Sequence, residues 1–351
     1  MAFMECATSQ WQAPSVLHSA DSFSSCVSSH AAPCWCLRLT LWCPWPAVVR
    51  LQSSRDGEQW SRLLVQAERL LQYYHCWGLD LEGQGDSAEG KPSGVNIIHS
   101  FVDCILAVVD HLQCVGCCVF GHSAGGLAAT LAEQRRPGTF SAMYLYEPVT
   151  FSQGRQFPGM RTSEWIDLEH IRQAHKTITS EDLATRALRR RRTFASKAAV
   201  LGSYGSRPPF KSFDSNVLRQ YIDYGFRELP GGGQVELKCT PEVEARVFRD
   251  TYKVSVEAFV HLRDLNCPVM IAAGTELVAA AIEAEAPLIA AQVPRGRFEK
   301  YAGVGHLGPF EAPAQVAERA LLCFKLAKSK QHWHSLPKGQ RMLFQLQKSK
   351  L

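Results

Sequence analysis

The chain has 351 residues, 46% of them hydrophobic, which is enough to bury one large core. Its net charge of +5 is modest, and its arginine run has no interleaved aromatics, which argues against nucleic acid as a partner. Thirteen cysteines, an odd number without a basic-then-apolar leader, point to a reducing compartment rather than a secreted disulfide framework.

Residues 1–60 are rich in Ser, Cys, Trp and Pro, carry little charge and show no strand alternation. An irregular N-terminal segment is expected there. Its most apolar part, 31–51, is interrupted by Arg38, Pro44 and Pro46, so no membrane span is expected. Cys34 and Cys36 have no second matched pair, which argues against a metal site. Next comes His75-Cys-Trp-Gly-Leu-Asp80, running into the turn Leu81-Glu82-Gly83-Gln84-Gly85-Asp86-Ser87. Phe101, Ile105, Val108 and Leu112 then recur at helical spacing. Cys117 to Phe120 reads as a buried strand, and Ala124 to Arg135 as a helix stopped by Pro137. Tyr144-Leu-Tyr-Glu147-Pro148-Val149 reads as another strand and its exit.

The long stretch 151–266 is mostly helix-like, at 163–177, 180–201, 215–227 and 241–262, with breaks at Ser206-Arg-Pro-Pro and Pro230-Gly-Gly-Gly-Gln. Within it Arg189 to Arg192 stand in a row, either as a solvated face or as an anion site. Cys267-Pro-Val-Met-Ile-Ala-Ala-Gly274 is an apolar strand ending in glycine, with Glu276 just beyond. A glycine-rich loop, Gly303-Val304-Gly305-His306-Leu307-Gly308, precedes a last helix opened by Pro313, with Val316, Ala320 and Phe324 on one face.

The chemistry centres on Gly121-His122-Ser123-Ala124-Gly125, between a strand and a helix. A serine on so abrupt a turn is forced into a strained backbone, and flanking glycines avoid collision with the neighbouring strand and helix. The helix N-terminus offers N–H groups to a developing negative charge, beginning with that of Ala124. His306, between glycines and downstream, is the expected base. Glu276, past the end of an apolar strand, is the expected carboxylate that orients it, with Glu147 as the alternative acid. Cys114 and Cys117 have the spacing of a dithiol pair, but Cys117 lies in the strand that leads into this serine turn, the elbow strand, and reads as packing.

These motifs together resemble the α/β-hydrolase superfamily over about residues 68–326. The 80–87 turn is similar to the turn after that family's fourth strand, although Glu82 stands where the family usually has arginine. The resemblance implies a mostly parallel α/β sheet with helices on both faces. It divides the chain into a core at 61–150 and 267–326, a helical lid at 151–266 and a basic tail at 327–351. It implies a triad in the order Ser123, Glu276, His306, and neither a metal nor an organic cofactor. The family's His-Gly oxyanion loop has no counterpart in the expected region, roughly 45–60, so the second oxyanion donor is unassigned; His30-Ala31-Ala32 is a distant candidate.

The expected activity is that of a serine hydrolase cleaving a carboxylic ester or thioester through an acyl-enzyme on Ser123. A carbon–carbon bond hydrolase uses the same triad, and a non-catalytic receptor or scaffold is the rival from another class. The tail ends Ser349-Lys350-Leu351, the tripeptide read by the peroxisomal import receptor. A peroxisomal location is therefore expected, with the cytoplasm as alternative, and acyl lipid or acyl-CoA as substrate class.

Overall fold

The computed structural model describes residues 39–44, 74–87, 89, 94–158, 167–177, 179–276, 280–329, 333 and 342–344. The candidate stretches for a second oxyanion donor, His30-Ala31-Ala32 and 45–60, and the C-terminal tripeptide lie outside them.

Among the described residues seven strands form one sheet, in the order β10-β9-β8-β4-β3-β1-β2. These are β1 (Leu39–Pro44), β2 (Tyr74–Leu79), β3 (Cys117–His122), β4 (Phe140–Tyr146), β8 (Val269–Gly274), β9 (Gly296–Tyr301) and β10 (Met342–Phe344). From β3 through β10 all neighbours are parallel, whereas β1 runs antiparallel to both β2 and β3. Strand β1 departs from the expectation of an irregular 1–60 segment. Two of its six residues are Trp42 and Pro44, and its place is set by pairing on both sides rather than by alternation of its own.

The central strands β3, β4 and β8 are almost wholly apolar because both faces are covered, with Ser141 exposed near the start of β4 and His122 closing β3. Their period-2 geometry still sorts the side chains. Val119, Met143, Leu145, Val269, Ile271 and Ala273 join one core cluster, while Cys118, Tyr144, Tyr146, Met270 and Ala272 join another on the opposite face. The first cluster includes residues of α1 (Ile97–His111), α2 (Ala124–Arg135) and α8 (Ala280–Gln292). The second is closed by Val316, Ala320 and Phe324 of α10 (Pro313–Lys328), the stripe expected from sequence. Cys114 and Cys117 both lie in the first cluster as packing residues.

Parallel neighbours need a crossover, and the one from β4 to β8 is the long segment 147–268. It carries α3 (Leu168–Thr177), α4 (Ser180–Leu188), β5 (Thr193–Phe194), α5 (Lys197–Tyr204), α6 (Ser215–Gly225), β6 (Phe226–Glu228), β7 (Val235–Leu237) and α7 (Pro241–Val260). The single helix expected over 180–201 is therefore two helices with a strand between them. Arg190 turns inward to pair with Glu244 and donates to the Tyr221 hydroxyl at 3.2 Å. Arg192 pairs with Glu236 at 3.1 Å, and Thr193 and Phe194 join a three-stranded antiparallel sheet ordered β5-β7-β6. Ser196 then caps α5 by accepting from the Ala199 N–H. Two of the four arginines are thus paired with glutamates of the same segment, and a third, Arg191, lies 4.6 Å from the Phe194 ring centroid.

Candidate active site

Ser123 stands at the junction of β3 and α2 with φ +54° and ψ −126°. A serine before a helix ordinarily adopts an extended backbone and caps the helix with its own hydroxyl. Here the left-handed backbone prevents that, and the hydroxyl makes no cap bond. It faces His306 Nε2 instead, at 3.0 Å.

The tight turn depends on two bare positions. A Cβ on Gly121 would sit 2.8 Å from the Gly126 Cα, and one on Gly126 would sit 2.9 Å from the Pro148 Cβ. Gly126, just outside the sequence motif, therefore shares the role the motif assigned to its own glycines. The Ala124 N–H opens α2 and has no acceptor within the helix, because the first turn of any helix leaves its donors unused.

His306 lies on the loop between β9 and α9 (Gly308–Glu311). Its Nδ1 is 2.8 Å from Glu147 Oε2, and Glu147 Oε1 accepts the Gly274 N–H at 2.7 Å. The carboxylate beside the imidazole is thus Glu147, the alternative acid, and not Glu276. Glu147 follows β4, the strand next to the elbow strand β3, has φ +42° and is fully buried. Glu276 follows β8, one strand further out. There the chain folds under the histidine loop, and the Thr275 and Glu276 N–H groups both donate to the Val304 carbonyl, at 2.9 and 3.0 Å. A Cβ on Gly274 would lie 2.2 Å from the same oxygen, so the close approach requires glycine. The backbone of Glu276 holds the loop while its side chain is exposed. The sequence did carry the signal for Glu147: a lone carboxylate between apolar strand residues and a proline.

His122 was not singled out from sequence, yet it packs against His306. Its Nε2 donates to the His306 carbonyl at 2.7 Å, and the two ring centroids are 4.8 Å apart. Burial pushes the His122 imidazole down to about 3, with the nearby His306 adding to the shift. His122 is therefore neutral at physiological pH and serves as a fixed donor. Tyr146 adds a hydroxyl bond to the Gly305 carbonyl at 2.9 Å.

Burial likewise pushes His306 down to about 4 and raises Glu147 well above the usual carboxylate range, an effect the Gly274 N–H opposes. One cause acts on both: a site shielded from water disfavours charge on either partner, and the pair titrates as a unit. A neutral imidazole with its proton on Nδ1 presents a free lone pair on Nε2 to the serine hydroxyl.

Upstream, the 80–87 turn is held by its own polar groups. The Asp86 N–H donates to Asp80 Oδ2 at 3.0 Å, and the Ser87 hydroxyl donates to the Asp80 carbonyl at 2.6 Å. Glu82 pairs with Arg246 at 3.6 Å, a structural use of the position where the resemblance expects arginine. Among the described residues no three His, Cys, Asp or Glu side chains converge as a metal site, and no helix is long and apolar enough to cross a membrane.

Known structures share this architecture. A peroxisomal α/β-hydrolase from Saccharomyces cerevisiae is 17% identical with a TM-score of 0.56, covering 82% of this chain and 88% of its own. E-2-(acetamidomethylene)succinate hydrolase is also 17% identical, with a TM-score of 0.53, covering 75% and 87%. The thioesterase domain from the curacin biosynthetic pathway is 15% identical with a TM-score of 0.50, covering 74% and 85%. At such identities the likeness is one of fold. No curated protein sequence matches the chain. The model of the alpha/beta hydrolase family matches residues 42–319, and the chain belongs to that family.

Proposed function

We infer that the protein is a serine hydrolase that cleaves a carboxylic ester or thioester. The observation that carries this reading is the continuous relay from Ser123 Oγ to His306 Nε2, 3.0 Å, and from His306 Nδ1 to Glu147 Oε2, 2.8 Å. Ser123 is the nucleophile. Its oxygen attacks the substrate carbonyl carbon while its proton passes to His306 Nε2. The imidazolium so formed is stabilised by Glu147, which also holds the proton on Nδ1. The carbonyl electron pair moves onto oxygen, where the Ala124 N–H donates to it. Collapse of this intermediate expels the alcohol or thiol, which takes the proton from Nε2 and leaves an acyl group on Ser123. Water repeats the sequence: His306 removes its proton, the acyl–serine bond breaks, and the carboxylic acid departs with the enzyme restored.

A thioesterase domain among the similar structures supports including thioesters in the substrate class. The segment 151–266 is read as the lid that roofs the acyl pocket. The tripeptide Ser349-Lys350-Leu351 supports import into peroxisomes, as does the likeness to a peroxisomal α/β-hydrolase. A fluorescent protein carrying the last ten residues would reach peroxisomes, and deletion of the tripeptide would leave it cytoplasmic. The activity is tested by hydrolysis of short-chain p-nitrophenyl esters and acyl-CoA. Turnover lost in Ser123→Ala supports the reading. A folded wild-type protein without turnover on either class contradicts it.

A further inference from the structure

One carboxylate bridges the histidine loop and the inserted segment. Glu311 closes α9, five residues after His306. Its Oε2 accepts the Gly305 N–H at 3.2 Å, one residue before the base. Its Oε1 lies 2.7 Å from the Ser212 hydroxyl, which is equally close to the Pro209 carbonyl and shares its one proton between the two; Ser212 belongs to the segment between β4 and β8. The contact is reinforced on both sides. The Asp214 N–H donates to the Phe310 carbonyl at 2.9 Å. The Phe213 ring stacks on Phe310 with centroids 5.1 Å apart and planes at 11°. Phe310 in turn sets its ring edge-on to His122, 5.6 Å away, and Val217 packs with Leu307 and Phe310.

We propose that Glu311 is a positioning residue for the base, joining the inserted segment to the His306 loop so that closure of that segment sets the base in register with Ser123. This rests on the serine-hydrolase reading above. A substrate gripped by the insert then acts on the base through Ser212 and Phe213, without touching it. An insert held away from the core would leave Gly305 and His306 on a glycine-flanked loop with fewer restraints.

The charge of Glu311 also bears on the imidazole. The groups packed around His306 are Ser123 and His122 at the end of β3, Glu147 after β4, and Glu311 on α9. Of these, Glu311 raises the proton affinity that burial lowers. A residue that merely filled space would leave that affinity unchanged.

The test is the rate of covalent labelling of the full chain by a fluorophosphonate, measured from pH 4 to 9. It is run on wild type, Glu311→Gln, Ser212→Ala and the double variant, alongside Tm. Glu311→Gln is expected to lower the plateau about tenfold, as loss of a charge-assisted hydrogen bond would, and to move the acid limb to lower pH. Ser212→Ala removes one exposed hydroxyl and is expected to lower the plateau about threefold at unchanged Tm. The double variant is expected to match Glu311→Gln, because both act through one link. A plateau and limb like wild type in Ser212→Ala and Glu311→Gln, or a lowered Tm with an unmoved limb, overturns the proposal. So do effects that multiply independently. If Glu311→Gln does not fold, Ser212→Ala decides alone. A folded wild type that takes no label refutes the hydrolase reading itself, and this inference falls with it.

Discussion

Replacing Glu147 with glutamine keeps the shape of the side chain and removes the charge beside the base. In the reaction His306 becomes an imidazolium whose Nδ1 lies 2.8 Å from Glu147 Oε2. Taking the charge centres as about 4 Å apart and an effective dielectric of about 20, the attraction is about 4 kcal/mol. That corresponds to roughly a thousandfold in rate. Glutamine also ceases to enforce the proton on Nδ1, and loss of the correct tautomer brings the expected fall in kcat to about 10³–10⁴. Glu276→Gln is the control. Its side chain is exposed and its backbone N–H survives the substitution, so kcat should stay within twofold of wild type. The assay is steady-state hydrolysis of p-nitrophenyl butyrate, with Tm measured for each variant. A Glu147→Gln enzyme within tenfold of wild type, or a Glu276→Gln enzyme as impaired as that expected for Glu147→Gln, would refute the assignment of the acid.

The pH profile carries a second expectation. The base works neutral, so a proton bound at Nε2 blocks it; burial opposes that proton and draws the acid limb below the ordinary 6.5. Glu311 is the negative neighbour that favours the same proton, so the activity of Glu311→Gln should fall off at lower pH than that of wild type. A limb shifted upward would contradict the sign. Two glycines should respond oppositely to alanine. Gly126→Ala would drive a methyl against Pro148 at 2.9 Å from Cβ and 3.1 Å from Cα, lowering stability by about 1–3 kcal/mol. Gly202 lies in α5 with nothing within 4 Å of the added methyl, so Gly202→Ala should stabilise by about 0.5–1 kcal/mol. Urea denaturation of both variants reads the two signs directly.

Much of the fold could be read before the structure because local pattern and tertiary role agree. The helix over 124–135 has its expected bounds, since a strained serine starts it and Pro137 follows its end. The 97–111 helix follows the same logic, with Asn96 capping it and the apolar stripe buried. The 180–201 stretch misled because Leu, Ala and Arg are all good helix formers and no proline interrupts them. The break at Arg189–Arg192 comes from partners distant in sequence: Glu244, Tyr221 and Glu236. The β1 strand was hidden for a related reason, because its register is imposed by β2 and β3 on either side.

In the site, Ser123 and His306 were legible because each is framed by glycines whose only evident use is a sharp turn or a close approach. The acid was harder. An apolar strand ending in a carboxylate describes both β4 with Glu147 and β8 with Glu276, and chain order favours the latter; which of the two meets His306 is set by how the loop after β9 folds back. His122 went unnoticed because its partner is a backbone carbonyl, which no side-chain pattern announces.

The central claim is that Ser123 is an activated nucleophile. The most direct measurement is reaction of the folded protein with a fluorophosphonate, followed by peptide mapping of the modified residue. The account predicts one phosphonylated site, Ser123, with modification abolished in His306→Ala at unchanged Tm. A folded protein that stays unmodified, or one modified elsewhere and indifferent to His306, would contradict it.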